Sequence, residues 1–224
     1  MDWNVEAKPM IHHGKYLEFA PFQAIGWLRH CFTTKSFMRD DAMRMEACLE
    51  LKGRYFSSAH AMVWGEQIHG AGIATVVDAT PGVMLELPGI DAIICGTPGI
   101  CLVAFGADCP IVYVADAKKR VIALVHSGRR GSEKRIVTTC VERMAREFGT
   151  SPADCVVAIS PSIGPCCYPA DLWAGIEKEL RRLGIDNVNN PRLCTSCHSE
   201  LFFSYRREKG RCGRMLAGMM VTTA

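Results

Sequence analysis

The stretch Asp91 to Ile111, DAIICGTPGICLVAFGADCPI, holds two short apolar runs, Asp91-Ala92-Ile93-Ile94-Cys95 and Ile100-Cys101-Leu102-Val103-Ala104-Phe105. Each is bounded by Gly or Pro, and such runs read as strands buried on both faces. The second stops at Gly106-Ala107-Asp108-Cys109-Pro110, which puts a carboxylate and a thiol at a strand end.

Downstream, Ile111 to Ala115 and Val121 to Val125 flank the polar Asp116-Ala117-Lys118-Lys119-Arg120 and predict a hairpin. The turn HSGRRG, His126 to Gly131, then leads into a helix carrying Ile136, Val137, Cys140, Val141, Met144, Ala145 and Phe148 on one face. Ser132 is expected to cap its start and Gly149 its end. Cys155 to Ile159 reads as a strand, and Pro169 to Leu183 as a second amphipathic helix stopped by Gly184. Leu201 to Tyr205 and Met215 to Val221 are expected to be strands around a polar turn. Upstream, Ala24 to Phe32 is expected as a strand, Asp40 to Leu51 as a helix, Ser58 toward Val63 as helix-like, and Ile73 to Val77 as a strand. Strands with irregularly interspersed helices predict an α+β, mixed-sheet, single domain over residues 1–224.

A balance of 26 basic against 23 acidic side chains gives +3, and the basic residues fall in dispersed pairs. No nucleic-acid or membrane surface is therefore expected. No apolar stretch approaches the roughly 20 residues of a membrane helix. The start, MDWNVEAKPMIHHGKYLEFAPF, has Asp2 and Glu6 where an export signal carries basic residues. The expectation is a cytoplasmic protein whose twelve cysteines are mostly free thiols. Cys194-Thr195-Ser196-Cys197-His198 has the spacing that attaches a c-type haem, yet that attachment needs export, so no haem is expected. The vicinal Cys166-Cys167 reads as packing and turn residues rather than a redox pair.

Three segments place ligand-competent groups at strand ends: Gln67-Ile68-His69-Gly70, Asp108-Cys109-Pro110, and His126. Two imidazoles and a thiolate form a zinc-competent set with a fourth place for water, although spacings of 40 and 17 residues match no short metal motif. Cys109 with His126 equally permits a thiolate nucleophile with an imidazole base. The HSGRRG turn, with Arg129 and Arg130 beside two glycines, reads either as an anion site or as a solvated connection.

Taken together, QIHG, DAIICGTPGICLVAFGADCPI, VIALVHSGRRG, SIGPCCY and CTSCHSELFFSYRREKGRCGRM resemble the YfiH-like laccase-domain family, also called multicopper polyphenol oxidase-like or purine nucleoside phosphorylase-like proteins. The resemblance runs from about Val63 to Val221. It implies α/β/β/α layers related to the catalytic domain of cytotoxic necrotizing factor. It implies metal ligands at His69, Cys109 and His126, which are also the catalytic candidates, with zinc the expected ion and copper the alternative. Cys194, Cys197 and His198 become structural or pocket-forming.

The activity implied is phosphorolysis of purine nucleosides, methylthioadenosine included, with adenosine deamination beside it and free nucleoside and phosphate as the partners of a monomer or weak dimer. Gln67 is expected to orient substrate and Arg130 to meet phosphate. Where the family reads FSTR, this chain has Phe32-Thr33-Thr34-Lys35, and where it reads HAGWRG, this chain has HSGRRG. Lys35 and Arg129 are therefore expected in the substrate site, with Lys35 a point charge in place of a planar donor. Hydrolytic editing of a peptidoglycan precursor is the rival activity in the same family.

Overall fold

In the computed structural model, which describes residues 9–38 and 42–223, β1 (Met10–His12), β2 (Tyr16–Phe19) and β3 (Leu28–Thr33) precede α1 (Arg44–Tyr55). Then come β4 (Ala61–Gly65), β5 (Ile73–Val76), β6 (Met84–Leu87), β7 (Ala92–Cys95), β8 (Ile100–Gly106), β9 (Ile111–Asp116) and β10 (Val121–His126). The chain continues through α2 (Arg129–Glu133), α3 (Ile136–Phe148), β11 (Cys155–Ile159), α4 (Leu172–Arg182), β12 (Val188–Asn189) and β13 (Met215–Val221). Seven strands form one mixed sheet in the order β1-β2-β3-β13-β8-β4-β6, and six form another in the order β12-β11-β9-β10-β7-β5.

The continuous apolar runs have a simple cause. Along β8, Ile100, Leu102 and Ala104 enter the core between the sheets, while Cys101, Val103 and Phe105 face the core under α1. Along β9, Ile111, Tyr113 and Ala115 point to the same inter-sheet core, and Val112 and Val114 meet α3 and α4. Side chains alternate at period two, so a strand covered on both faces must be apolar at every position. The layers are thus α1, the seven-stranded sheet, the six-stranded sheet, and α3 with α4. Tyr113 spans the middle, its hydroxyl donating to the Cys31 carbonyl of the opposite sheet at 2.7 Å.

The hairpin, the Ile73 strand and the two long amphipathic helices lie where the residue pattern predicts them. Asp116 closes the hairpin by accepting from the amides of Lys118 and Lys119 at 3.0 and 2.9 Å. Other elements differ. The strand expected from Ala24 begins at Leu28, because Ala20–Ala24 is a 3-10 turn. The helix expected over Asp40–Leu51 runs Arg44–Tyr55; Asp40 and Asp41 lie outside the described residues. Ser58 to Val63 is no helix: it leads into β4, which is buried throughout and pairs in parallel with both β6 and β8.

Ser132 caps nothing. Its hydroxyl meets Ser127 inside the short α2, and the chain breaks at left-handed Arg135 before α3 starts. Gly149 does end α3, at φ 67°. Leu201 to Tyr205 is irregular between two turns rather than a strand, and Phe202 and Phe203 insert from it into the inter-sheet core. Among the described residues, no helix is long and apolar enough to cross a membrane.

Candidate active site

The three donor residues sit at one end of the sandwich. His69 follows β4, Cys109 lies in the link from β8 to β9, and His126 is the last residue of β10. Backbone bonds fix their mutual register: Gln67 donates its N–H to the Ile90 carbonyl at 2.9 Å, His126 to Asp91 at 2.8 Å, and Ser127 to Pro110 at 2.9 Å. One nitrogen of each imidazole and the Cys109 Sγ lie within 4.8 Å of one another. The rings of His69 and His126 meet edge to face at 4.9 Å between centroids. Exposure falls from His69 through Cys109 to the buried His126, so the group opens to solvent on one side.

Three non-glycine residues here have left-handed backbone: Gln67 at φ 58°, His69 at 60° and Asp108 at 90°. Such conformations cost free energy and persist where surrounding bonds over-determine them. At Asp108 those bonds are clear: its carboxylate accepts from Thr195 Oγ1 at 2.6 Å and from the Arg206 amide at 2.7 Å. Gly128 is required by proximity. A Cβ there would lie 2.9 Å from Cys109 Sγ and 3.4 Å from His69 Cδ2.

Asp91 is the functional residue that strand reading conceals. His126 Nδ1 donates to its Oδ1 at 2.8 Å, and the amides of His69 and Gly70 donate to the same carboxylate at 3.0 and 2.8 Å. This leaves His126 Nε2 to face the donor group, the orientation a metal-ligating imidazole needs. The charges agree. Burial pushes the Cys109 thiol up, but bonds from His126 and His69 outweigh it and bring the thiol down to about 6. Burial pulls His126 down, and Asp91 with Cys109 overcomes this and raises it to about 9. A borderline-soft N/S donor set with a carboxylate behind one imidazole fits zinc.

A cleft of about 590 Å³ opens over the group, within the size range of small-molecule sites. Five cations line it, namely Arg44, Arg129, Arg206, Lys209 and Arg214, together with Phe105, Tyr168 and Tyr205. Arg206 stacks over Tyr168 and Arg214 over Tyr205, each 5.7 Å from the ring centroid, and Arg44 lies 5.0 Å from the Phe105 centroid. Two of the cations are partly neutralised, Arg44 by Glu86 at 2.7 Å and Arg129 by Glu133 at 2.9 Å.

The expected substrate residues divide. Arg129 lines the cleft, whereas Arg130 is exposed and does not. Gln67 also lines it, but both ends of its amide are engaged by the Phe105 backbone at 2.8 Å, so it holds β8 rather than reaching for a ligand. Lys35 donates to the Ser199 carbonyl and lines a different cavity with Ser36, Phe203 and Arg207. Arg206, Lys209 and Arg214 escaped the residue-by-residue reading. Their signal was the basic spacing of Ser204 to Arg214, a polar turn folded back onto the site.

The profile of the family described as multi-copper polyphenol oxidoreductase laccase matches residues 32–170 and 168–222. The chain belongs to that family. It is 32% identical over 189 residues to a protein of Geobacillus stearothermophilus named purine nucleoside phosphorylase YlmD, covering 68% of this chain and 69% of that one. It is 35% identical over 147 residues to a purine nucleoside phosphorylase of Bacteroides thetaiotaomicron, where it spans 54% of the relative's length. The crystal structure of the Geobacillus YlmD superposes with a TM-score of 0.84 at 24% identity, covering 96% of this chain and all of that one, which establishes the shared fold. The family's name evokes several coppers. Among the described residues only one such group combines histidine with cysteine, and the other five histidines, His12, His13, His30, His60 and His198, belong to no multi-histidine cluster.

Proposed function

We propose that this chain is a metal-dependent purine nucleoside phosphorylase. The observation that carries the reading is the opening of the His69–Cys109–His126 group into a cleft lined by five cations and three aromatic rings. Relatives named for this activity support the substrate class.

Zinc held by His69, Cys109 and His126 would supply fixed positive charge that polarises a bound oxygen; copper is the alternative. The protein's own groups do the rest. Arg206, Lys209 and Arg214 offer charge-assisted hydrogen bonds to phosphate, and Arg129 adds a fourth cation at the mouth. Tyr168 and Tyr205 present aromatic faces to the purine. Asp91 holds the His126 ring and, through its bonds to the His69 and Gly70 amides, the backbone that carries the second imidazole. Phosphate oxygen bonds to C1′ of the ribose as the C1′–N glycosidic bond breaks. The electron pair leaves with the base, which takes a proton, giving free purine and ribose 1-phosphate.

Methylthioadenosine phosphorolysis asks the same of the cleft. Adenosine deamination would instead bring purine C6 to the donor group. Hydrolysis of an anionic peptidoglycan precursor is favoured by one observation, the surplus of cations over what a single phosphate needs. Incubating metal-quantified protein with adenosine, with and without phosphate, and separating adenine, inosine and hypoxanthine tests these readings. Phosphate-dependent adenine release that is lost in His126→Ala is the expected result. Inosine alone would replace phosphorolysis with deamination. No turnover by folded, metal-loaded protein would overturn the nucleoside reading in favour of the cell-wall precursor.

A further inference from the structure

Four more thiols converge outside this site. Cys166 and Cys167, on the loop before α4, meet Cys194 and Cys197, on the loop that leads to Ser204, and all four Sγ atoms lie within 4.8 Å of one another. From these positions we infer that the four cysteines form a second metal site, a structural zinc tetrathiolate that fastens one wall of the cleft.

Packing does not explain the cluster. Cys166 and Cys197 are exposed and Cys167 is half-buried, unlike Cys31, Cys48, Cys95, Cys101, Cys140 and Cys155, which lie buried as small hydrophobes. Pairwise disulfides do not explain it either. Cys197 Sγ stands 3.5 Å from Cys166 Sγ and 3.6 Å from Cys167 Sγ, one sulfur nearly equidistant from two partners. That pattern suits a shared centre. A Zn–S bond of about 2.3 Å in tetrahedral geometry sets the sulfur–sulfur edge at about 3.8 Å.

The surrounding backbone is arranged as thiolate sites require. The Gly164 amide donates to Cys194 Sγ at 3.3 Å, and the amides of Cys197 and His198 donate to the Cys194 carbonyl at 3.1 and 2.9 Å, closing the C-x-x-C turn. Arg207 donates to the Ser196 carbonyl inside that turn at 3.2 Å, bringing positive charge beside a centre that would carry net negative charge. Binding releases the four thiol protons as four Zn–S bonds form, with no change in oxidation state.

The position gives the site a purpose. Ser162 and Cys194 form an isolated parallel bridge, and Thr195 reaches Asp108, next to Cys109. Cys167 immediately precedes Tyr168, and Arg206, stacked on that ring, lies on the second loop. Two loops without regular structure therefore share one cross-link, and both supply the cleft.

The test counts metal rather than turnover, so it stands apart from the nucleoside reading. The full chain, purified without chelator from zinc-supplemented culture, is compared by mass-spectrometric zinc analysis with His69→Ala/His126→Ala and with Cys166→Ser/Cys197→Ser. Two zinc ions per chain are expected, falling to one in either double variant. Cobalt reconstitution of the histidine variant should give the intense bands of a tetrahedral tetrathiolate. A histidine variant that holds no metal, or the recovery of disulfide-linked peptides containing these cysteines after alkylation of native protein, would overturn the inference. Both readouts leave the four cysteines intact, so a misfolded cysteine variant cannot obscure the answer.

Discussion

The buried Asp91 carboxylate lies 2.8 Å from His126 Nδ1 and also accepts from the backbone amide of His69, so one acidic group orients the ring of one donor and the main chain of another. Asp91→Asn would keep the size and lose the charge. Metal affinity at the His/Cys/His group should fall about 10- to 100-fold, measured by competition with a calibrated chelator, with the circular dichroism spectrum unchanged. Wild-type affinity in this variant would show that the carboxylate only packs.

Cys109→Ala removes the sulfur donor. Loss of metal from this group together with loss of turnover is the expected outcome. Retained turnover after metal loss would show that the reaction does not need the ion.

Gly128→Ala places a methyl group 2.9 Å from Cys109 Sγ. The thiol must move, because its other neighbours are the two imidazoles. We expect a stability loss of about 1–3 kcal/mol and a disproportionate loss of metal affinity, read by parallel thermal melts of loaded and metal-stripped protein. Equal melting shifts in both forms would place the strain elsewhere.

The cations separate by position. Arg206→Ala and Lys209→Ala should raise KM for phosphate by about 10-fold or more, the scale of a hydrogen bond to a charged group. Arg130→Ala, outside the cleft, and Lys35→Ala, in another cavity, should leave it unchanged. Steady-state phosphate titrations of the four variants decide, and an effect confined to Arg130 or Lys35 would contradict the geometry.

His30 predicts a pH dependence of stability that is independent of activity. It is buried against Phe19 and Phe22 and accepts the Phe19 amide through Nε2 at 2.8 Å. Burial lowers it to about 4 against an ordinary 6.5, and the bond accepted from the Phe19 amide also needs the unprotonated ring. Between those values the unfolded chain binds a proton that the folded chain refuses, so stability falls as pH drops from 6.5 toward 4, by roughly 3 kcal/mol at most. Urea unfolding across this range should show the slope, and His30→Gln should flatten it.

The residue pattern carried far for local structure and for donor chemistry. The 3.6-residue spacing of Ile136 to Phe148 and the hairpin about Asp116 were legible because each element is specified by its own side chains. Ser58 to Val63 and Leu201 to Tyr205 were not. A short apolar run can serve a parallel strand or a helix, and paired phenylalanines can plug a core from a turn. Asp91 was hidden because it opens an apolar strand, and its role depends on β10 lying antiparallel to β7. The four-thiol cluster joins residues about thirty positions apart, a proximity set by the two loops rather than by either motif alone.

His69 and Cys109 both lie on passages where the chain leaves the seven-stranded sheet for the six-stranded one, and His126 ends a strand of the latter. A bound ion would therefore act as a suture across the lip of the sandwich, tying both crossovers to the end of β10. Losing it should loosen that rim before the core, so hydrogen exchange at the crossover amides would register the loading state even in a chain whose substrate is never supplied.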